Sequence, residues 1–285
     1  MRRPSAVLAA LGLTALTLTG PAPSQAVTGN ATVDDEHPYV ALLVFYTEPA
    51  EPGGDPYSHR CTGSLLADRV TVVTAGHCTQ GVDTGRAYFQ TSPFPDYDPT
   101  AFGGRGGDTT TGYPYLGGTE FRDAANLGFG SRSLPDTGDL GVVVLDEPVT
   151  LERYAELPAP GAVDTYTSSS SAKRTVDFTL SGYGVSQVKP RVLVGQRLTA
   201  RSQLVSDDSP VSEYHLKTSS NASQGKGGSC VGDSGGPVLA EGTDVLLAVV
   251  SFGRNDNCRG VEYSYRVDRE ETLAWIGDDG RVDAG

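Results

Sequence analysis

Basic residues are scarce in this chain of 285 residues. It contains 22 Lys and Arg against 35 Asp and Glu, which gives a formal net charge of −13. Proteins that bind nucleic acids neutralise phosphates with clustered Lys and Arg, and the sequence shows no such cluster. The composition therefore argues against a nucleic-acid partner.

Long apolar runs are also scarce, and the one that stands out lies within residues 1–26. Arg2 and Arg3 precede it, and a small-x-small pattern ends at Ala26, so the segment is predicted to be a secretory signal peptide. The run is too short to span a bilayer comfortably. We therefore expect residues 27–285 to form a secreted, extracellular protein that is not inserted in a membrane.

The chain has only four cysteines and four histidines. An even number of cysteines in an exported chain favours two disulfides, and four cysteines allow three pairings. The sequence has no CxxC pair, and His77 beside Cys78 is the one place where a histidine stands near a cysteine in a ligand-like arrangement. The sequence therefore predicts no metal site and no cofactor.

Short apolar or alternating runs, broken by Gly, Pro, Asp and Ser, predict an all-β protein. The residues 90–135 are crowded with Gly, Pro, Asp and Thr and are expected to be mostly loop, unless strands are hidden there. One helix is expected at the end of the chain, over 268–277, with Asp268 as its cap. The candidate strands lie at 39–46, 63–67, 70–75, 140–145, 175–184, 196–205 and 245–253.

A glycine-rich stretch at 227–237, GGSCVGDSGGP, holds Ser234 in a tight turn. A serine hydroxyl becomes a nucleophile only with a base, a group that orients the base, and N–H donors for the oxyanion. His77 is the best candidate for the base because it follows the strand-like run VTVVTA beside a cysteine. Asp139, which heads the buried run DLGVVVL, is the best candidate for the orienting acid. The other three histidines are expected to have structural roles.

The motifs TAGHC, DLGVVVL, GDSGGP and SFG occur in this order. Together they resemble the chymotrypsin and trypsin family of secreted serine endopeptidases, and the likeness extends from VTGN at Val27 to the final LAWI. The resemblance implies an all-β fold of two perpendicular antiparallel six-stranded β-barrels with a short C-terminal helix. The first barrel is expected over about 27–160, the second over about 161–268, and the helix over about 268–277.

The same resemblance assigns the catalytic roles. Ser234 would attack the scissile carbonyl, His77 would take and return the proton, and Asp139 would orient the imidazole. The backbone N–H groups of Gly232 and Ser234 would form the oxyanion hole. The resemblance thus implies the hydrolysis of protein or peptide substrates through an acyl-enzyme intermediate. Neither a metal nor a cofactor is needed.

Activation in this family uses a new N-terminus, and Val27 stands at the matching position. Its amine would form a buried ion pair with Asp233. Because Val27 directly follows the signal segment, signal peptidase itself is expected to create that amine. The implied disulfides pair Cys61 with Cys78, and Cys230 with Cys258.

The resemblance places the specificity pocket between two short segments. Its residues are Gly228, Ser229, Ser251, Phe252 and Gly253. Gly228 stands where a trypsin-like enzyme has an aspartate, so an apolar or aromatic residue before the cut is slightly preferred over a basic one. Glu262 falls close enough in sequence that a carboxylate there could restore basic preference.

Two other functions agree with part of the sequence. The letters GDSGG also fit the nucleophile elbow of α/β-hydrolases, but that fold needs a histidine after the serine, and no histidine follows Ser234. The remaining alternative is a non-catalytic binding protein on a serine-protease fold. The enzyme is expected to be a monomer, and protein inhibitors are possible partners.

Overall fold

The computed structural model describes residues 27–47, 57–82, 84–93, 118–167, 176–188, 190–193, 195–205, 209–255 and 257–278. The predicted signal peptide, 1–26, lies outside the described residues. Within them, no helix is both long and apolar enough to cross a bilayer.

The described chain is dominated by short strands. In chain order they are β1 (Thr28–Gly29), β2 (Thr32–Val33), β3 (Val40–Tyr46), β4 (Tyr57–Leu65), β5 (Thr71–Thr74), β6 (Thr84–Tyr88), β7 (Thr119–Asn126), β8 (Gly141–Leu145), β9 (Asp177–Gly182), β10 (Val185–Val188), β11 (Arg191–Leu193), β12 (Leu198–Leu204), β13 (His215–Ser219), β14 (Gly227–Gly228), β15 (Pro237–Ala240), β16 (Leu246–Gly253) and β17 (Val261–Arg266). The α-helices are α1 (Gly76–Thr79), α2 (Ala162–Thr167) and α3 (Glu270–Gly277), and 3₁₀ turns occur at Pro210–Glu213 and Ser223–Gly225.

The first barrel closes in the order β3-β4-β5-β8-β7-β6. Every neighbouring pair is antiparallel, and β3 pairs with β6 to complete the ring. The residues of VALLVFY in β3 are almost all buried, and those from Val40 to Phe45 belong to the largest apolar cluster of the described chain. The barrel thus buries a continuous apolar run, as the sequence pattern predicts.

The second barrel has the order β13-β17-β16-β15-β9-β12, and a pairing between β12 and β13 closes it. The short strand β2 adds to the outer edge of β12, so the N-terminal segment is tied to this barrel. The predicted all-β fold of two six-stranded antiparallel barrels is confirmed.

Several strands of the barrels are absent from the sequence prediction. In β7, TEFRDAAN, only Phe121 is fully buried, so the strand lacks the apolar run by which strands were recognised. The alternative that 90–135 contains a hidden strand holds at 119–126, while residues 94–117 lie outside the described part. The other strands of the two barrels without a predicted counterpart are β6, β13, β15 and β17.

The C-terminal helix begins later than predicted, at Glu270, and Asp268 does not cap it. The Asp268 carboxylate instead accepts hydrogen bonds from the Val163 backbone N–H and from the Arg266 guanidinium, each at 2.8 Å. The buried ion pair with Arg266 occupies the oxygens that a cap would use. Trp275 still packs against the core, as the apolar face of the helix predicts.

Candidate active site

His77 lies in α1, the short helix that follows strand β5 of the first barrel. A Cβ on the preceding residue, Gly76, would lie 2.9 Å from the Cβ of Phe129, so only glycine fits this turn. Cys78 forms a disulfide with Cys61 of β4. The imidazole is therefore attached to a short helix that is fixed on both sides.

Asp139 binds His77 through three contacts. Its carboxylate lies 3.0 and 3.1 Å from the imidazole Nδ1, and the His77 backbone N–H donates to Oδ1 at 2.8 Å. The hydroxyl of Ser251, at the end of β16, donates to Oδ2 at 2.5 Å. These contacts fix the imidazole with Nδ1 toward the acid and Nε2 toward the cleft.

The electrostatics of Asp139 keep it charged. Burial raises the pKa of its carboxyl, but the hydrogen bonds and charge of His77 and the hydrogen bond from Ser251 outweigh burial, and the pKa lies below its ordinary value. An ionised carboxylate at this position stabilises an imidazolium. The pair is therefore suited to general-base chemistry at neutral pH.

Ser234 lies in the loop between β14 and β15, which is bound to the first barrel by Thr62. The Thr62 backbone N–H donates to the Ser234 carbonyl at 2.8 Å, and its hydroxyl donates to the Gly232 carbonyl at 2.9 Å. Gly232 has φ +99, a conformation that other residues rarely adopt. The second disulfide, Cys230–Cys258, anchors the start of the loop.

His77 and Ser234 line the same cavity, which has a volume of about 500 Å³. The His77 side chain is 27% exposed there, although its partner Asp139 is buried. In unliganded enzymes the hydrogen bond between a catalytic serine and its base is often long, and it tightens only when substrate binds. The structure thus brings the serine and the histidine to one open surface.

The backbone N–H groups of Gly232 and Ser234, like that of the exposed Val231, point to no acceptor within the described part of the chain. The N–H groups of Asp233 and Gly235 are satisfied, since the first donates to the Cys230 carbonyl at 3.0 Å and the second to the Val250 carbonyl at 2.8 Å. Unpaired donors are rare in folded proteins. Two of them beside a serine are what an oxyanion hole requires.

Asp233 is buried behind this loop. Its carboxylate accepts the backbone N–H groups of Gly184 at 2.7 Å and of Cys230 at 2.8 Å. Burial raises its pKa to about 6, although these hydrogen bonds and the charge of Arg60 lower it. Arg60 reaches the same loop, because a Cβ on Gly232 would lie 3.1 Å from its Nη2.

Val27 lies within the uncleaved chain and carries no free amine, so its predicted ion pair with Asp233 is not formed in this structure. Its side chain is 1% exposed. The next residue, Thr28, pairs with Gly228 in the two-stranded sheet of β1 and β14. The segment after Val27 is therefore already docked beside the Ser234 loop.

The predicted pocket residues come from both sides of the second barrel's end. Phe252 stacks on Tyr263 with ring centroids 4.8 Å apart. Gly253 pairs with Glu262 across β16 and β17, and a Cβ on Gly228 would lie 2.6 Å from Glu262 Oε1. The hydroxyl of Ser220 donates to Oε1 of Glu262. The carboxylate therefore lies between the two predicted walls.

Sequence reasoning missed three contributions. Thr62 and Arg60 carry no motif, and their positions become apparent only when β4 is placed beside the Ser234 loop. Ser251 was assigned to the pocket wall, but its hydroxyl binds Asp139. Its motif, SFG, gave its position and not this role.

Cys61, His77 and Cys78 have potential ligand atoms within 4.8 Å of one another. Both thiols are consumed by one disulfide. Thiolates are the form that binds metals, so this trio is not a metal centre.

Comparison with known proteins places the chain among relatives of like architecture. A family model described as Trypsin matches residues 26–276. "Serine protease 7" of Drosophila melanogaster is 27% identical over 250 residues, which is 81% of this chain and 59% of that protein. The chain thus spans well under two thirds of that relative's length.

Solved structures share the fold at low identity. HL collagenase matches with a TM-score of 0.62 at 17% identity, covering 90% of this chain and 99% of that one. A mutant of human heparin binding protein matches with a TM-score of 0.57 at 20% identity, covering 88% and 94%. At these identities the likeness supports the fold alone. The chemistry has to be argued from the residues of the site.

Proposed function

Because the chain belongs to the trypsin family of serine proteases, we propose that it is a secreted endopeptidase that hydrolyses proteins or peptides through Ser234, His77 and Asp139. The observation that carries the proposal is the cavity shared by Ser234 and His77, with a buried carboxylate on the far side of the imidazole.

In the first step, Ser234 Oγ attacks the scissile carbonyl while His77 Nε2 accepts its proton. The Asp139 carboxylate, held by Ser251, stabilises the imidazolium that forms. His77 then donates the proton to the leaving amine, and an acyl-enzyme remains on Ser234. Water, deprotonated by the same imidazole, hydrolyses this ester and restores the serine.

The oxyanion of each tetrahedral intermediate would accept the backbone N–H groups of Gly232 and Ser234. These donors have no other acceptor within the described residues, so they need not break a bond before the reaction. Loss of one such donor typically costs about 10²–10³-fold in rate.

Activation would follow from cleavage before Val27. Val27 has φ 53, a region that a β-branched residue rarely adopts. Cleavage removes the preceding peptide bond and with it this restraint, and the new amine supplies a cation for the buried Asp233. Removal of the signal peptide at this bond would therefore yield an enzyme that is exported in active form.

The activation step is tested by N-terminal sequencing of the secreted protein together with an activity assay. A chain that begins at Val27 and is active supports it. Full activity in a chain that begins elsewhere contradicts it.

The peptidase function is tested with Ser234→Ala and His77→Ala, assayed on a peptide library with purified secreted protein. Both variants should lose turnover by more than about 10³-fold and keep the melting temperature. His37→Ala is the matched control, because His37 lies outside the cavity, and its folded fraction should remain active. Turnover retained by Ser234→Ala would remove the proposed role.

The alternative is a non-catalytic binding protein on the same fold, and it draws support from the likeness to human heparin binding protein. A net charge of −13 disfavours a polyanionic ligand such as heparin. If wild-type protein cleaves nothing in the library, the binding function becomes the better account.

Two further expectations accompany the proposal. Two disulfides within the described chain suit an oxidising, extracellular location. A monomeric enzyme with an open cleft is also accessible to protein inhibitors that bind as substrates do.

A further inference from the structure

We infer that Arg60 selects peptides that carry an acidic side chain, Asp or Glu, within the first two residues after the cut. The guanidinium of Arg60 lines the same cavity as Ser234 and His77. The inference rests on the proposed peptidase function and adds to it the chemistry of the leaving peptide.

Two cavities of the described chain share His77 and no other lining residue. One has a volume of about 400 Å³ and includes Ser251 and Phe252, which the family resemblance assigns to the residue before the cut. The other has a volume of about 500 Å³ and includes Ser234 and Arg60. A peptide that binds across Ser234 and His77 extends in both directions from the cut. The second cavity, here called the leaving-group cavity, therefore receives the residues after the cut.

The charge of the leaving-group cavity comes from Arg60. The described residues that line it include no Asp or Glu. Burial lowers the pKa of His59, which the hydrogen bond to the Cys78 carbonyl opposes, so this imidazole is neutral near pH 7. The chain as a whole has a net charge of −13. The positive lining is thus a local feature that contrasts with the rest of the molecule.

The Arg60 guanidinium has no carboxylate partner among the described residues. Most arginines in that part of the chain form ion pairs with Asp or Glu. Arg60 is half-buried, whereas the other arginines without such a pair are exposed, at Arg69, Arg191, Arg254 and Arg259. A charge that is partly removed from water without a counter-charge is costly. An incoming carboxylate would supply the missing charge.

The hydrogen bonds of Arg60 fix its guanidinium and leave donors free. Nη1 donates to the Tyr183 carbonyl at 3.1 Å. Nη2 lies 3.1 Å from the place of a Cβ on Gly232 and is buried without a partner. Buried polar atoms normally find partners, and the forked guanidinium matches a carboxylate. Since Gly232 also supplies a proposed oxyanion donor, the free donors lie close to where the scissile carbonyl would bind.

Asp233 is the acid inside the protein whose charge interacts with Arg60. Its carboxylate, however, accepts the backbone N–H groups of Gly184 and Cys230 and forms no ion pair with Arg60 within the described chain. If Arg60 served Asp233 alone, its loss would slow the cleavage of all peptides by the same factor. A change that depends on the peptide's own charge distinguishes the two roles.

The first experiment uses internally quenched peptides that differ only in the two residues after the cut, which are both Asp, both Asn or both Lys. The residue before the cut is the one that the peptide library selects. Wild-type protein should cleave the Asp peptide with a kcat/KM at least about 10-fold above that of the isosteric Asn peptide, and the Lys peptide most slowly. In Arg60→Gln, which keeps a donor for the Tyr183 carbonyl, the ratio of Asp to Asn should fall to about one.

Each ratio is taken within one protein, so the folded fraction cancels. Arg191→Gln is the matched control, because it removes the same charge from an exposed position outside both cavities and should keep the wild-type ratio. Arg60→Lys keeps the charge and should restore part of the preference. A ratio near one in wild type, or an unchanged ratio in Arg60→Gln, would overturn the inference and leave the peptidase function intact.

A second experiment needs no turnover. Peptides with a free amine that begin with Asp-Asp or Asn-Asn, labelled with fluorescein at the C-terminus, are titrated into Ser234→Ala protein. The Asp peptide should bind at least about 10-fold more tightly, and the Ser234→Ala, Arg60→Gln double variant should lose this advantage. If wild-type protein cleaves no peptide while the binding preference persists, the peptidase function fails and the acid-selecting cavity stands. Equal binding of the two peptides to Ser234→Ala protein would overturn the inference.

Discussion

The molecule contains two Asp–His–Ser clusters with nearly the same local geometry. In one, Asp139 lies 3.0 Å from His77 Nδ1 and accepts Ser251 Oγ at 2.5 Å. In the other, Asp34 lies 2.9 Å from His37 Nδ1 and accepts Ser181 Oγ at 2.5 Å. In both, the backbone N–H of the histidine also donates to the same carboxylate.

The difference lies on the far side of each imidazole. His77 is 27% exposed and faces the cavity with Ser234, whereas the side chain of His37 is 8% exposed. Asp34 also has the buried Arg197 beside it, 3.9 Å away. An Asp–His pair is therefore not evidence of catalysis by itself, because the same hydrogen bonds can also hold a segment of the chain in place.

The buried cluster joins three parts of the fold. Ser181 belongs to β9 of the second barrel, while Arg197 donates to the carbonyl of Val40 in the first barrel at 3.1 Å. Asp34 comes from the segment that follows Val27. We expect the cluster to stabilise the docked N-terminal segment rather than to carry chemistry.

The largest difference between the two clusters is expected when Asp139 and Asp34 are each replaced by asparagine. Asp139→Asn should lower kcat by roughly 10⁴-fold, because the amide favours the wrong imidazole tautomer. Asp34→Asn should leave kcat within about twofold. Steady-state kinetics on folded protein measure both, and similar losses in the two variants would erase the distinction.

Although Asp34→Asn should keep its kcat, it should lose stability. Asp34→Asn leaves the buried Arg197 and His37 without their carboxylate and should lower the free energy of unfolding by about 3 kcal/mol. Urea denaturation at pH 7 provides the measurement. A variant as stable as wild type would show that the cluster does not stabilise the docked N-terminal segment.

The serines provide a matched and smaller pair. Ser251→Ala removes a hydrogen bond to a charged group and should lower kcat/KM by roughly 10-fold, since such bonds contribute about 1.5–3 kcal/mol. Ser181→Ala should lower the unfolding free energy by a similar amount and keep kcat/KM. An unchanged kcat/KM in Ser251→Ala would mean that Asp139 is oriented well enough by its other bonds.

Both clusters should contribute less to the stability of the fold at acid pH. Burial raises the pKa of Asp34, but His37, Ser181 and Arg197 outweigh it, so the pKa lies below its ordinary value, as for Asp139. A depressed pKa stabilises the fold above the unfolded-state value and loses this contribution as the pH falls from about 5 to below 4. Either Asn variant should therefore lose less stability than wild type over this range. A steeper loss in either variant would contradict the assignment.

Sequence reasoning reached the parts of the site that are local. His77, Asp139 and Ser234 each stand in a short motif, and each occurs where its motif predicts a strand end or a tight turn. The strands that lack an apolar run, such as Thr119–Asn126, were not found, because their burial depends on the partner strands.

Non-local contacts decide the rest. The bond from Ser251 to Asp139 spans 112 residues. The contact of Glu262 with Gly228 depends on how β17 pairs with β13 and β16. Nothing near His37 in the sequence distinguishes its partner Asp34 from any other acid. These relations require the register of the sheet, which composition and spacing do not provide.

The central claim is that the His77–Asp139 pair, and not the His37–Asp34 pair, activates Ser234. It is tested most directly by the rate at which a fluorophosphonate labels the purified protein, with the labelled residue mapped by mass spectrometry. We predict stoichiometric labelling of Ser234 in wild type and in Asp34→Asn, labelling slowed by orders of magnitude in Asp139→Asn, and none in Ser234→Ala. Labelling at another residue, or equal rates in the two Asn variants, would contradict the account.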